Sequence, residues 1–185
     1  LYSFGFVDIQ NNWERLWSSI FHSISAYNNA GFSLWSNSLQ DYRTNYLVNS
    51  VFVFLIVMGG LGWRVIDDIW SNKKNLSYKK LSLHSRLVIR TSLSLMLFGS
   101  LGFFITESLL NSRFFNDLNL FERLLSSIFE TVSARTAGFT NFTISLNSIS
   151  DTGLLLLMTL MFIGASPGGT GGGIKTTTFI ALMAA

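Results

Sequence analysis

Two tripeptides, Ala30-Gly31-Phe32 and Ala137-Gly138-Phe139, carry the strongest chemical suggestion in this sequence. Glycine reaches positive φ without steric cost and lets backbone carbonyls approach a neighbour closely. Carbonyls converging on one axis can replace the hydration shell of a cation, as they do in potassium filters. A helix ending just before each tripeptide would aim its partially negative C-terminus at the same point, which also favours a cation. The candidate ion ligands are therefore the backbone carbonyls of Asn29, Ala30 and Gly31 in one place and of Thr136, Ala137 and Gly138 in the other. Taken singly, either tripeptide reads equally well as a tight turn in a polytopic protein.

Duplication favours the filter. Glu14-Arg15-Leu16-Trp17-Ser18-Ser19-Ile20-Phe21 and Glu122-Arg123-Leu124-Leu125-Ser126-Ser127-Ile128-Phe129 differ at one position. The match runs on through Ser25-Ala26 and Ser133-Ala134 and resumes at the Ala-Gly-Phe tripeptides after one residue is dropped. The unit is a short helix, a turn, an extended segment and an apolar run ending in glycines, and it occurs twice.

A second cluster lies in the later copy. Between Gly164 and Gly173 stand six glycines and Pro167, the only proline of the chain. Each glycine costs a helix about 1 kcal/mol and proline about 3, so the expectation is a break: Gly164, Ser166, Pro167, Gly168, Gly169, Thr170, Gly171, Gly172 and Gly173, followed by Lys175. Broken backbone at membrane depth must line a cavity or be buried in protein, and Ser166 and Thr170 supply polar lining. One reading is a gate, the other a passive kink or a seam where small residues let helices approach. The run Gly-Gly-Thr-Gly-Gly-Gly-Ile-Lys-Thr also brushes a phosphate-binding loop, but Ile174 separates the glycine from the lysine that such a loop needs contiguous.

Other charges near these motifs have structural readings. Arg135 is expected to turn from the axis and brace the turn, against Glu130. Lys175 either nears the path or reaches one membrane face. Glu14 and Glu122 suit helix N-termini, with Arg15 and Arg123 pairing locally, and Asp67 and Asp68 mark a helix end.

The elements that must position these groups are membrane elements. Of 185 residues 49% are hydrophobic, 15% aromatic and only 12% charged, about half the charge of a soluble domain. Three runs approach the roughly 20 residues of a span: Tyr46 to Ile66, Leu87 to Ile105, and one from Thr152 that meets the glycine break and resumes at Ile174. Two amphipathic stretches, Trp13 to Ala26 and Phe121 to Ala134, are too short to span and suit half-membrane helices, with Asn11 or Asn12 and Asn119 as N-caps. The chain has no cysteine and two distant histidines, which excludes disulfides and thiolate chemistry and offers no metal or catalytic histidine site. No enzyme is expected.

Seven of the thirteen Lys and Arg fall from Arg64 to Arg90. Between two apolar runs, the positive-inside rule accounts for them better than nucleic acid does. The loop from Ser71 to Arg86 is then cytoplasmic, both short helices enter from outside, and the glycine break lies on the cytoplasmic side of the turns. Starting at Leu1 and stopping at Ala185 inside an apolar stretch, the chain is expected to be an internal fragment, unable to conduct by itself.

Ser25-Ala26-Tyr27-Asn28-Asn29-Ala30-Gly31-Phe32-Ser33 and Ser133-Ala134-Arg135-Thr136-Ala137-Gly138-Phe139-Thr140 resemble the filter signatures of the Trk/Ktr/HKT potassium-uptake superfamily, whose pore subunits carry four M1–P–M2 repeats. The segment from Met161 to Phe179 resembles the inner helix of the third repeat, interrupted there by a gating loop. The resemblance implies an all-α integral membrane fold of tandem M1–P–M2 repeats (outer helix, re-entrant pore helix with filter loop, inner helix). Residues 1–70 would be the second-repeat pore helix, filter and inner helix, 71–86 the cytoplasmic loop, and 87–185 the third repeat. It implies K+ as transported ion with no covalent cofactor, plasma-membrane location, a homodimer of full-length subunits, and a cytosolic nucleotide-binding regulatory ring (KtrA/TrkA-like) for which the basic loop is a candidate contact. Glycine at the filter positions accords with potassium. The alternatives are a sodium-permeable or non-conducting member of the superfamily and, from another class, a membrane nucleotide-binding ATPase subunit.

Overall fold

The structure is a computed structural model that describes residues 1–2, 5–73, 80–110, 113–115, 118–142 and 148–184. Lys74 and Lys79 of the basic loop, and parts of the linkers at 111–117 and 143–147, lie outside the described residues. Among the described residues seven α-helices follow one another: α1 (Asn12–Tyr27), α2 (Tyr46–Leu61), α3 (Trp63–Ser71), α4 (Leu83–Leu110), α5 (Leu120–Ala134), α6 (Asp151–Phe162) and α7 (Thr176–Ala184), with a 3-10 turn at Gln40–Tyr42. The β contact recorded is one isolated bridge between Ile163 and Ile174.

The repeated stretches fold as the two short helices α1 and α5, of 16 and 15 residues. At 1.5 Å per residue each is about 24 Å or less, short of a roughly 30 Å hydrocarbon core. The expected caps form: the Asn11 side chain accepts the Trp13 N–H (3.0 Å), and Glu122 accepts the Asn119 N–H (2.8 Å) as the second half of a capping box. Both helices bury polar side chains beside apolar ones and expose large apolar residues. On α1, Ser18, Ser19, His22 and Ser25 are buried while Trp13, Trp17, Ile20 and Ile24 are exposed. On α5, Ser126, Ser127 and Glu130 are buried while Leu120, Phe121, Leu124 and Ile128 face outward. Apolar residues at helical spacing on the outer face suit a lipid or protein neighbour rather than water.

Among the described residues α4, with 28 residues, is the helix long and apolar enough to cross a bilayer by itself. Its buried stripe (Ser85, Val88, Ser92, Gly99, Phe103, Glu107) recurs every three to seven residues, facing α5 and α6. The run expected to span from Tyr46 to Ile66 does not continue: α2 ends at Leu61, Gly62 takes φ +88°, and α3 leaves at 94°. The turn seats Gly62 against backbone of 167–169, where a Cβ would come within 2.7 Å of the Pro167 carbonyl. The third run breaks where expected, α6 stopping after 12 residues and α7 beginning at Thr176. The core crosses the two copies: Phe52 and Ile56 of α2 join Phe129, Val132, Ala137 and Phe139 of the second copy, so α2 packs between α1 and α5.

Candidate functional site

The two turns are built by the same hydrogen bonds. At the outer end of each short helix an arginine reaches back to the incoming chain: Arg15 Nε donates to the Ile9 carbonyl (2.8 Å) and Nη2 to that of Val7 (3.2 Å), while Arg123 Nε donates to the Leu118 carbonyl (2.9 Å). These arginines bind backbone rather than the neighbouring glutamates. Ser19 and Ser127 return their hydroxyls to the Arg15 and Arg123 carbonyls (2.7 and 2.8 Å). At the inner end, the Ala30 N–H donates to the Ser25 carbonyl and the Ala137 N–H to the Ser133 carbonyl, both at 2.9 Å. The hydroxyls of the same serines donate to the carbonyls of Phe32 (2.8 Å) and Phe139. A loop of backbone is thus held on both sides by one side chain of the helix that precedes it.

Within each loop φ turns positive twice, at Asn29 (50°) and Gly31 (70°), and at Thr136 (71°) and Gly138 (80°). Asparagine tolerates this region, but a β-branched residue there stores roughly 1–3 kcal/mol of strain. The two loops touch. A Cβ on Gly31 would lie 2.8 Å from the Ala137 carbonyl oxygen and 3.0 Å from Gly138 Cα, and one on Gly138 would lie 3.2 Å from Gly31 Cα. All six residues singled out as ion ligands therefore come together in two adjoining loops. Asn29 Oδ1 and Thr136 Oγ1 are buried without a hydrogen-bond partner.

The glycine break folds into a compact loop beneath them. Internally, Gly164 N–H donates to Ile174 O (3.1 Å), Ala165 N–H to Gly172 O (3.0 Å) and Gly169 N–H to Ser166 O (2.9 Å). Lys175 Nζ folds back onto the Gly171 carbonyl (2.7 Å), and Thr176 Oγ1 donates to Ser166 Oγ (2.9 Å). Externally the loop rests on the first copy. Ser166 N–H donates to Gly60 O (3.0 Å), Thr170 N–H to Gly59 O (3.1 Å) and Trp63 N–H to Gly168 O (3.3 Å). The Thr170 hydroxyl donates to the Tyr27 carbonyl (3.0 Å) and accepts from Asn29 Nδ2 (3.0 Å). A side chain on Gly171 would meet Thr136 Oγ1 at 2.7 Å, so this glycine sits directly against the turn above.

Two expectations need correction. Arg135 does not brace against Glu130: its Nη2 donates to the Gly164 carbonyl (3.0 Å), tying the second turn to the glycine loop. Glu130 instead accepts the Asn141 N–H (2.9 Å) beyond the turn. A buried carboxylate is better satisfied by an immobile amide and hydroxyl than by an arginine one helical turn away that has a free carbonyl nearer. The glycines that end the first apolar run, Gly59-Gly60-Leu61-Gly62, are the seat on which the break rests. Glu107 was not anticipated. Buried at the far end of α4, it accepts the Ser150 hydroxyl (2.6 Å) and N–H (3.1 Å), and Ser150 caps α6. Gly153 makes room for it. At the opposite end Asp68 does more than mark a helix terminus, accepting the Ser82 N–H (2.9 Å) and Asn72 Nδ2 (3.1 Å) across the basic loop. Hydrogen bonds from Ser85 and then Ser82 hold its carboxyl below the usual range.

Two short helices that end in touching, positive-φ turns, packed beside a helix long and apolar enough to cross a bilayer, accord with an all-helical membrane transport protein. The chain belongs to the TrkH family of cation transport proteins, whose model matches residues 5–185. It is 38% identical over 175 residues to the Ktr system potassium uptake protein B of Bacillus subtilis, covering 94% of this chain and 38% of that protein. Its identity to the Ktr system potassium uptake protein B of Vibrio alginolyticus is 36% over 188 residues (97% and 40% covered). With the potassium/sodium uptake protein NtpJ of Enterococcus hirae it shares 39% over 173 residues (91% and 36% covered). The chain thus spans well under half the length of these curated relatives. The crystal structure of the potassium transporter TrkH from Vibrio parahaemolyticus matches 96% of this chain and 35% of its own, with a TM-score of 0.72 at 23% identity, a likeness of fold.

Proposed function

We propose that the chain supplies two neighbouring walls of a potassium-conducting pore, as the second and third of four M1–P–M2 repeats. On this reading the backbone carbonyls of Asn29, Ala30, Gly31, Thr136, Ala137 and Gly138 face the ion, residues 1–70 and 87–185 are the two repeats, and 71–86 is the cytoplasmic loop. The observation that carries it is the contact between Gly31 and Gly138, two positive-φ glycines at the ends of matched half-helices, close enough that a Cβ on Gly31 would strike the other loop. Alternating the sign of φ along a tripeptide turns successive carbonyls to one side, where an extended strand would alternate them. Such carbonyls, with two helix C-termini behind them, bind a dehydrated cation.

The loop from Gly164 to Lys175 is the gate of this pore. It lies against Thr136 and Asn29 through Gly171 and Thr170, and single hydrogen bonds, each worth about 1 kcal/mol, tie it to α2, to α3 and to the two turns. Deleting Gly168–Gly172 from the full-length protein is expected to raise K+ flux into proteoliposomes about tenfold, because the loop's external bonds total only a few kcal/mol; unchanged flux would sink the gate. The full-length protein is expected to be a plasma-membrane homodimer that binds a cytosolic nucleotide-binding ring of KtrA/TrkA type near the basic loop. A potassium- and sodium-permeable pore is the second reading, favoured by the similarity to a relative named for both ions.

A further inference from the structure

The repeat aligns His22 with Glu130, two residues with nothing in common except that both can accept a hydrogen bond. His22 is fully buried and Glu130 is 4% exposed. His22 Nδ1 lies 2.8 Å from the Ser18 carbonyl, an acceptor only, so Nδ1 carries the proton and Nε2 offers a lone pair. That lone pair receives the Leu34 N–H (3.3 Å), and the Ser33 hydroxyl lies 3.1 Å from it. In the other copy Glu130 Oε1 receives the Asn141 N–H (2.9 Å), and the Thr140 hydroxyl, which donates to the Phe142 carbonyl (2.8 Å), lies 3.4 Å from it. Leu34 and Asn141 each stand three residues beyond the turn glycine, and Ser33 and Thr140 each stand two beyond it. Different side chains have converged on the same backbone donor, with a hydroxyl beside it.

Each bracket is itself immobilised. The His22 ring stacks on Trp35 at 4.2 Å and 17°, and Asn141 passes its side-chain amide to Asn49 Oδ1 (2.9 Å), which is anchored to three carbonyls at the start of α2. The serine below fixes the turn at Phe32 or Phe139, and the bracket above fixes it two residues later. Both ties lie directly after the glycine, so together they fix the chain that leaves Gly31 or Gly138.

We propose that His22 and Glu130 are positioning residues of the two filter loops, fixing the chain just beyond Gly31 and Gly138 and so the placement of the glycine carbonyls, and thereby the preference for K+ over Na+. The role depends on the acceptor and not on the charge, since a neutral imidazole and a carboxyl group fill it equally. This rests on the reading of the two turns as a filter.

The test uses the full-length protein in phosphatidylethanolamine–phosphatidylglycerol vesicles, with KM, maximal rate and K+/Na+ preference measured. His22→Leu and Glu130→Leu are each expected to lower the preference about tenfold and raise KM for K+ similarly, the worth of one buried hydrogen bond. His22→Gln and Glu130→Gln, which keep an acceptor oxygen, should stay within about twofold of the parent. Leu variants with parental KM and preference, or Gln variants as impaired as Leu variants, overturn the proposal. If the Leu variants cannot be purified, His22→Asn and Glu130→Asp decide it, each keeping an acceptor on a side chain too short to reach the same N–H; a smaller shift in the same direction supports it and an unchanged preference overturns it. Gly138→Ser separates the two levels. Unchanged preference there overturns the filter and this proposal together, whereas a shift there with none in the bracket variants overturns this proposal alone.

Discussion

From Arg15 to Leu34 and from Arg123 to Asn141 the two copies repeat the same kinds of hydrogen bond at matched donors, across sequence differences as large as His22 for Glu130. Beyond that point they part. The helix after the first turn, α2, ends in Gly59-Gly60-Leu61-Gly62 and bends by 94°. The helix after the second, α6, stops at Phe162 and gives way to the glycine loop. The difference is complementary. Ending a helix leaves its last carbonyls without partners, and Gly59 and Gly60 present theirs to the N–H groups of Thr170 and Ser166. One copy thus offers acceptors where the other has spare donors, so the broken helix is supported at membrane depth by its own homologue.

The sharpest way to break this comparison is at adjacent glycines of α2. A Cβ on Gly59 would lie 1.8 Å from the Tyr27 carbonyl oxygen, whereas one on Gly60 meets nothing nearer than 3.6 Å. Gly59→Ala is therefore expected to cost about 3 kcal/mol, and Gly60→Ala should lie within about 1 kcal/mol of the parent, aided by helix propensity. Thermal unfolding of the full-length protein in detergent reads both; equal effects would contradict the close approach of α2 to the Tyr27 carbonyl, the group that also receives the Thr170 hydroxyl. A smaller effect distinguishes the two arginines. Arg15 makes more carbonyl contacts than Arg123, so Arg15→Ala should cost about 2 kcal/mol and Arg123→Ala about 1, measured the same way. The smallest is expected at Asp68. Its lowered pKa means that its contribution is complete above the unfolded value of about 3.9 and is lost only as pH falls below it. The protection factor of the Ser82 amide, its exchange rate relative to that of an unstructured peptide at the same pH, should be unchanged from pH 8 to 5 and should fall in Asp68→Asn.

Much of this was legible in the residues. The octet repeat and the Ala-Gly-Phe tripeptides located both turns, and Asn11, Asn119 and the density of glycine after Gly164 located helix starts and a break, because caps and helix breakers act locally. What stayed hidden depends on partners distant in sequence. Gly62 in an apolar run looks like a helical residue until the loop near Pro167 occupies its flank. Arg135 and Glu130 look like a pair on one helix until Gly164 and Asn141 arrive from elsewhere. Glu107 gave no signal because its partner, Ser150, lies 43 residues away. The equivalence of His22 and Glu130 was present in the alignment but unreadable, since only the structure shows that both accept from the same backbone position.

The claim at the centre is that Gly31 and Gly138 line one ion path. Its most direct test is the K+/Na+ preference of the full-length protein carrying Gly138→Ser, measured as uptake into proteoliposomes. A side chain there meets Gly31 Cα at 3.2 Å on a backbone of φ +80°, so the preference for K+ is expected to fall about tenfold while protein yield holds. A K+/Na+ preference equal to that of the parent would contradict the account.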